Sequence, residues 1–273
     1  MARETGISWT GTRKSDGTIA PGGTFNVMIG CSKVNEECAN CYAEDYDNRY
    51  FNGEHWGPGR PRKMMSEHYW NDPIRWNRAA EKEGIKIKVF CSSLADVFDK
   101  EIPASVRNRL WLLIKNTPNL IWLLLTKRPE NILGMLPSDW GTGYDNVWLG
   151  TTTGMQKSFD RNVPIISKIP ARKRFLSIEP QLEEVDCTPI MRKDSPIDWV
   201  IFGGESGSKA RPFDPEWMKK PIEQGKEAGV AVFVKQFGAI WAKDNNCKSK
   251  AASDPAEWPE WAKVQEWPDE EAF

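Results

Sequence analysis

Short apolar runs recur along the chain, each closed by a polar or glycine-containing stretch and usually followed by a segment of helical periodicity. The runs predict strands over 25–29, 87–91, 120–125, 147–149, 174–177, 199–202 and 231–234. Between them, 72–82, 104–115, 129–136 and 215–228 have helical character, and several open with proline or an Asp-Pro pair, which suits a first helical turn. The strand runs are apolar without clean alternation, as expected where helices cover a parallel sheet buried on both faces. No Gly-x-Gly-x-x-Gly turn follows the first run, and six or seven βα units fall short of a complete barrel. The pattern predicts an α/β fold over residues 1–240, a partial (βα)6-type parallel barrel.

Past Gly238 the alternation decays into a Trp-, Pro- and acid-rich tail over 241–273, expected to pack loosely on the barrel. The stretch 53–63, rich in Gly, Pro and Arg, reads as a long loop close to the cysteines and as a candidate lid. At 273 residues the chain can bury a substantial core, and its 40% hydrophobic and 27% charged content excludes collagen-like, coiled-coil and wholly disordered classes. Met1-Ala-Arg-Glu-Thr-Gly6 has no apolar h-region, and the greasiest run, Leu120-Ile-Trp-Leu-Leu-Leu125, is too short to span a bilayer. The expectation is a cytoplasmic protein with no membrane partner. A net charge of −1 announces no nucleic-acid field, although Arg60-Pro-Arg-Lys63 forms a local basic patch.

The cysteines change the picture. Of six, three crowd into Gly30-Cys31-Ser-Lys-Val-Asn-Glu-Glu-Cys38-Ala-Asn-Cys41-Tyr-Ala-Glu44, spaced x6 then x2, while Cys91, Cys187 and Cys247 are scattered. A large chain without a signal peptide has no need of a disulfide framework, so the clustering points to metal. A Cys-x2-Cys pair brings two thiolates to one centre and a third completes three of four positions, leaving one iron of a cluster open, whereas a structural zinc site wants four protein ligands. A four-cysteine zinc site or structural cluster completed by Cys91, Cys187 or Cys247 is the alternative. His55 and His68 read as solvated.

Polar clusters stand at nearly every predicted strand end: Cys31; Ser92-Ser93 with Asp96; Thr126-Lys127-Arg128; Thr151-Thr152-Thr153; Glu179-Pro180; Gly203-Gly204-Glu205-Ser206; and Lys235-Gln236. Strand ends of a βα barrel converge where such enzymes place their active sites. Taken singly, each has a bland reading: solvated loop residues, or cations that neutralise Glu179, Glu205 and Asp96. Glu179, flanked by Ile178 and Pro180, reads as a buried carboxylate with a partner.

Together with the cysteine segment, Phe90-Cys-Ser-Ser-Leu-Ala-Asp96-Val-Phe98, Leu125-Thr-Lys-Arg-Pro-Glu-Asn131, Val147-Trp-Leu-Gly-Thr-Thr152, Arg174-Phe-Leu-Ser-Ile-Glu-Pro180, Asp198-Trp-Val-Ile-Phe-Gly-Gly-Glu-Ser-Gly207 and Phe233-Val-Lys-Gln-Phe-Gly238 resemble a phage and prophage family of three-cysteine proteins over residues 7–240. Its members look like divergent radical S-adenosylmethionine (SAM) proteins. The resemblance implies a barrel of the radical SAM kind, a 4Fe–4S cluster on Cys31, Cys38 and Cys41, SAM as second cofactor, and generation of a 5′-deoxyadenosyl radical. Ser92, Ser93, Asp96, Lys127, Glu179, Gly203, Gly204, Glu205 and Lys235 become candidate cofactor-binding residues. Asp96 or Glu205 would accept from the SAM amino group, and Lys127, Arg128 or Lys235 would meet a carboxylate or phosphate. Implied partners are an electron donor such as flavodoxin and an anionic substrate, a modified nucleotide or DNA. Some phage relatives have been proposed as isomerases that rearrange an amino-acid adduct on a modified thymidine base in phage DNA.

Two departures stand out from the usual radical SAM pattern. The first cysteine gap is six residues where three is usual, and Gly203-Gly204-Glu205 comes near the sixth strand where such a motif normally follows the second. The rival from another class is a non-catalytic nucleic-acid-binding protein with a structural zinc or iron–sulfur site, using 60–63 and stacking on some of the 14 tryptophans, most of which are expected in the core.

Overall fold

A computed structural model describes residues 5–14 and 16–268. Residues 1–4 of the N-terminal segment and 269–273 of the tail lie outside the described residues. Gly23–Thr24, Ile87–Cys91, Leu120–Thr126, Val147–Thr152, Lys173–Ile178, Trp199–Gly203 and Ala231–Gln236 are consecutive neighbours in one seven-stranded parallel sheet. Sheet order follows chain order, and helices intervene, so the fold is the α/β half-barrel expected. Ile87–Cys91, Val147–Thr152 and Trp199–Gly203 are buried at every position, which is why none of them alternates.

The first strand departs from expectation. Phe25, Val27, Met28 and Ile29 are all buried, yet only Gly23 and Thr24 pair with Val89 and Phe90 in the sheet. Asn26 interrupts the run: its side-chain oxygen accepts from Leu94 N at 2.7 Å, and its amide donates to Ser93 Oγ at 3.1 Å. Met28 and Ile29 then pair antiparallel with Met64 and Lys63 in a small separate sheet.

Helices Asp72–Glu83 and Ala104–Lys115 appear as predicted, the former opening on Pro73 and closing on Gly84 in the left-handed conformation. The segments 129–136 and 215–228 each begin as a tighter 3-10 turn, Pro129–Asn131 and Pro215–Met218, before turning α-helical. Two of the longer helices escape the sequence reading. Tyr42–Phe51 buries only Ala43 and Asp47, and Gln156–Ile166 has a buried stripe of Phe159, Val163 and Ile166 but carries Pro164, which reads as a breaker.

The chain divides into two compact units, the first formed by residues up to 34, 43–150 and 169–173, the second by 35–42, 151–168 and 174 onward. In the first unit, Trp9, Trp70, Trp76, Trp111, Trp122, Trp140 and Trp148 are buried; in the second, Trp199 and Trp258 are. No helix among the described residues is long and apolar enough to cross a membrane.

Over its described residues the tail is packed rather than loose. Within the second unit, Gln265 bridges Phe233 antiparallel, Val234 N donates to Val264 O at 2.8 Å, and Glu266 N donates to Val232 O at 2.9 Å. Trp258 is buried, stacks on Phe237 at 5.1 Å between ring centroids, and donates its indole N–H to Ala252 O at 2.8 Å. The tail therefore covers the open edge of strand Ala231–Gln236, which would otherwise present unpaired backbone groups. Trp258→Ala should lower unfolding free energy in urea by about 3 kcal/mol, the usual cost of truncating a buried tryptophan. A loss below about 0.5 kcal/mol, typical of surface changes, would mean that the tail is loosely held after all.

Candidate functional site

Cys31 is placed in the first unit by the glycine before it. Gly30 N donates to Leu94 O at 2.9 Å, and its φ of +117° lies where L side chains are strained. A Cβ there would sit 2.2 Å from His55 O, so only glycine lets the chain run this close to the loop 53–63. That loop is fixed rather than lid-like. Arg62, with its side chain fully buried, pairs with Asp99 at 2.9 Å and with Glu101, and donates to the carbonyls of His55, Gly57 and Arg60 at 3.0–3.2 Å. Gly57 N in turn donates to Cys31 O at 2.8 Å. Arg62 is thus withdrawn from the basic patch that the sequence suggested.

Beside Cys31 stands a second buried arginine. Arg128 Nη1 lies 3.4 Å from Cys31 Sγ and 3.0 Å from Asp96 Oδ2, while Nη2 donates to Ser32 O at 2.7 Å and Ser32 Oγ at 3.1 Å. The side chains of Arg128 and Asp96 are each only 8% exposed. Asp96 also accepts from Thr126 Oγ1 at 2.8 and 2.9 Å, from Phe98 N at 3.0 Å and from Lys127 N at 3.3 Å. A buried ion pair is tolerable when its remaining lone pairs and protons are satisfied in this way. Burial pushes the Cys31 thiol up to about 11; Asp96 adds to the effect, and Arg128 opposes it. Ser92 Oγ and Ser93 Oγ both engage the 26–27 segment, Ser92 through Val27 N at 3.5 Å and Ser93 through the Asn26 side chain.

Cys38 and Cys41 belong to the second unit. Cys38 closes the 3-10 turn Glu36–Cys38, is buried, and donates its thiol to Asn35 Oδ1 at 3.5 Å. The neighbouring Glu37 is a buried carboxylate that accepts from Asn35 Nδ2 at 2.9 Å and from Ser158 Oγ. Asn40, just before Cys41, donates to Lys209 O at 2.7 Å and to Glu205 Oε2 at 3.2 Å.

Glu205 is 5% exposed and forked onto Arg211: Nη2 meets Oε1 at 2.6 Å, while Nε and the Arg211 backbone N meet Oε2 at 2.9 and 2.8 Å. Burial acts to raise the Glu205 carboxyl, but the bonds from Arg211 and Asn40 outweigh it and hold the group below the ordinary carboxylate range. The preceding glycines are committed to packing. A Cβ on Gly204 would lie 2.3 Å from Phe237 O, and one on Gly203 would press the Glu179 side chain at 3.3 Å. Glu179 and Lys235 form an ion pair at the ends of their strands, with side chains 17% and 21% exposed.

Among the sequence candidates, then, Ser92, Ser93, Asp96, Lys127 and Arg128 gather around the entry to Cys31 in the first unit. Within the second unit Glu179 and Lys235 form one ion pair, and Gly204 and Glu205 lead into the Arg211 network. Sequence reasoning missed Asn35, Glu37 and Asn40, whose place inside the cysteine segment was the one signal for them, and Ser158 and Arg211, which carry no motif.

The family model described as "Protein of unknown function (DUF5131)" matches residues 4–264. The chain belongs to this family. No curated protein matches it. Among solved structures, this DUF5131 member is similar to a double mutant of spore photoproduct lyase with bound AdoMet and dinucleoside spore photoproduct, at 10% identity and a TM-score of 0.41, covering 83% of this chain and 65% of that one. It thus spans just under two thirds of that structure's length.

None of the six cysteines forms a disulfide. Among the described residues, no three His, Cys, Asp or Glu side chains are grouped so as to hold a metal ion. The donor chemistry of the cysteine segment nevertheless suits an iron–sulfur cluster, with three soft thiols and none tied up in a disulfide. In the first unit, Asp96→Ala strands a buried guanidinium and should cost about 3–5 kcal/mol in urea unfolding. A loss of about 1 kcal/mol or less would place the Asp96–Arg128 pair among ordinary solvated ion pairs.

Proposed function

We propose that the chain is a radical SAM enzyme in which Cys31, Cys38 and Cys41 hold a 4Fe–4S cluster. The observation that supports this best is the set of three thiols spaced x6 then x2, outside any disulfide, that follows the short strand Met28–Ile29 a few residues past the first strand of a parallel α/β sheet. When bound, such a cluster supplies the electron that cleaves the sulfonium of SAM. The chain's own part is to bind, orient and exclude water. Three protein thiols leave one iron for SAM, and the sequence resemblance supports the same division of labour.

For the rest of SAM or its substrate, Glu179 and Lys235 are suitable partners, because a zwitterionic amino-acid group presents an ammonium for one and a carboxylate for the other. Lys127, half-buried beside Asp96, is the corresponding candidate in the first unit. The finer reading, from the resemblance, is an isomerase acting on an anionic substrate, a modified nucleotide or a thymidine adduct in DNA, in a reducing cytoplasm with a flavodoxin-like electron donor. The rival nucleic-acid module keeps little support, since nine tryptophans and Arg62 are buried.

Anaerobically reconstituted protein should be brown, with iron and sulfide matching a 4Fe–4S cluster. Cys31→Ala, Cys38→Ala and Cys41→Ala should each abolish loading, whereas Cys187→Ala and Cys247→Ala should not. With dithionite and SAM, the loaded protein should release 5′-deoxyadenosine, and SAM should perturb its EPR spectrum. Iron content that survives all three single changes would sink the ligand assignment, and an EPR spectrum indifferent to SAM would reduce the cluster to a structural role.

A further inference from the structure

The second unit holds the Cys38–Cys41 turn from two sides. On one, Arg211 Nη1 donates to Glu36 O at 3.0 Å, while its other N–H groups fork onto Glu205, whose Oε2 also receives Asn40 Nδ2 at 3.2 Å. On the other, Ser158 Oγ donates to Glu37, which also takes Asn35 Nδ2 at 2.9 Å. The residues fixed are 35, 36, 37 and 40, so the contacts bracket Cys38 and reach the residue next to Cys41.

Glu205 is heavily committed. Its Oε2 takes three donors, Arg211 N and Nε and Asn40 Nδ2, and its Oε1 takes Arg211 Nη2. With the residue only 5% exposed, a SAM ammonium would have to compete with this network at a carboxylate turned away from solvent. Gly204 is equally committed, its Cα seated against the Phe237 backbone, where any side chain would collide. The Gly203-Gly204-Glu205 segment therefore looks inward to the cysteine turn and not outward to a cofactor.

We propose that Glu205 and Arg211 are positioning residues that latch the Cys38–Cys41 turn in the geometry needed for cluster ligation, with Glu37 and Ser158 as the counter-latch, and that Glu205 does not bind the SAM amino group. This rests on the cluster reading above. Outer partners of metal ligands typically matter by roughly 10–100-fold in metal affinity. Arg211 suits the task because its planar fork spans a carboxylate and still reaches a carbonyl, which a lysine ammonium cannot do in the same geometry.

The test uses the full chain and the variants Arg211→Met, Arg211→Lys and Glu205→Gln, with Lys219→Met as an exposed control. In reconstituted protein, cluster loss to a chelator should quicken roughly tenfold or more in Arg211→Met and Glu205→Gln, less in Arg211→Lys, and not at all in the control. In metal-free protein, alkylation by iodoacetamide, followed by mass spectrometry, should accelerate at Cys38 and Cys41, while the buried Cys187 stays protected and reports that the fold is intact. If Cys187 becomes reactive in Arg211→Met, the two milder variants decide. Cluster retention and Cys38 and Cys41 reactivity equal to the parent protein would overturn the latch. Should the parent protein load no cluster, the proposed function falls, and the alkylation rates alone decide whether the latch exists. A SAM dissociation constant weakened in Glu205→Gln at full cluster occupancy would return Glu205 to the cofactor.

Discussion

A guanidinium neutralised by a buried carboxylate, with N–H groups left over for loop carbonyls, is the interaction on which the cysteine segment depends. Among the described residues it occurs three times around that segment. Arg128 pairs with Asp96 and reaches Ser32 O; Arg62 pairs with Asp99 and reaches the carbonyls of residues 55, 57 and 60; Arg211 pairs with Glu205 and reaches Glu36 O. Loop backbone lacks the ladder partners of helix and sheet, and an unmet buried carbonyl is costly. Only a group with five donors in a fixed fork can answer a carboxylate and several carbonyls together. The carboxylate matters as much, since it makes the buried positive charge tolerable. Within each unit the cysteines are thus set by side chains distant in sequence: Arg128 lies 97 residues from Cys31, and Glu205 lies 165 from Asn40.

That separation explains what the sequence could and could not disclose. Strands such as Leu120–Thr126 and Trp199–Gly203 and helices such as Ala104–Lys115 are legible because their evidence is local: apolar runs, first-turn prolines, closing glycines. The first strand failed because Asn26 looks like a minor blemish in an apolar run, and its bonds to Ser93 and Leu94, 67 and 68 residues away, are invisible there. Charge misled in the same way. Arg62 reads as part of an exposed basic patch because exposure is the default for arginine, and nothing nearby names Asp99 as the partner that draws it inside; Arg128, by contrast, neutralises Asp96 as one of the two readings open to the strand-end cations has it.

An open parallel sheet also has two edges to protect, and the two are treated differently. The Gly23–Thr24 edge is only two residues long, too short to template much pairing. At the other edge, residues 264–266 lie along strand Ala231–Gln236 and take up its backbone groups, with Trp258 against Phe237 as anchor. The acid-rich composition that made this tail look loose describes its outer surface; its buried Ala252, Trp258 and Ala262 describe the inner one.

The carboxylates differ in how far neighbouring donors hold them. Asp96 accepts from Thr126, Phe98, Lys127 and Arg128, and Glu205 from Arg211 and Asn40, so each is tied into the surrounding framework. Glu179 differs in kind. Its partner is a single lysine, a point charge on a flexible stem, and both side chains keep about a fifth of their surface in solvent. Arg128 and Asp96, by contrast, are each only 8% exposed, so Glu179 and Lys235 form the more accessible of the two pairs. Opening it to a zwitterion would turn one ion pair into two at unchanged net charge, an ammonium meeting Glu179 and a carboxylate meeting Lys235.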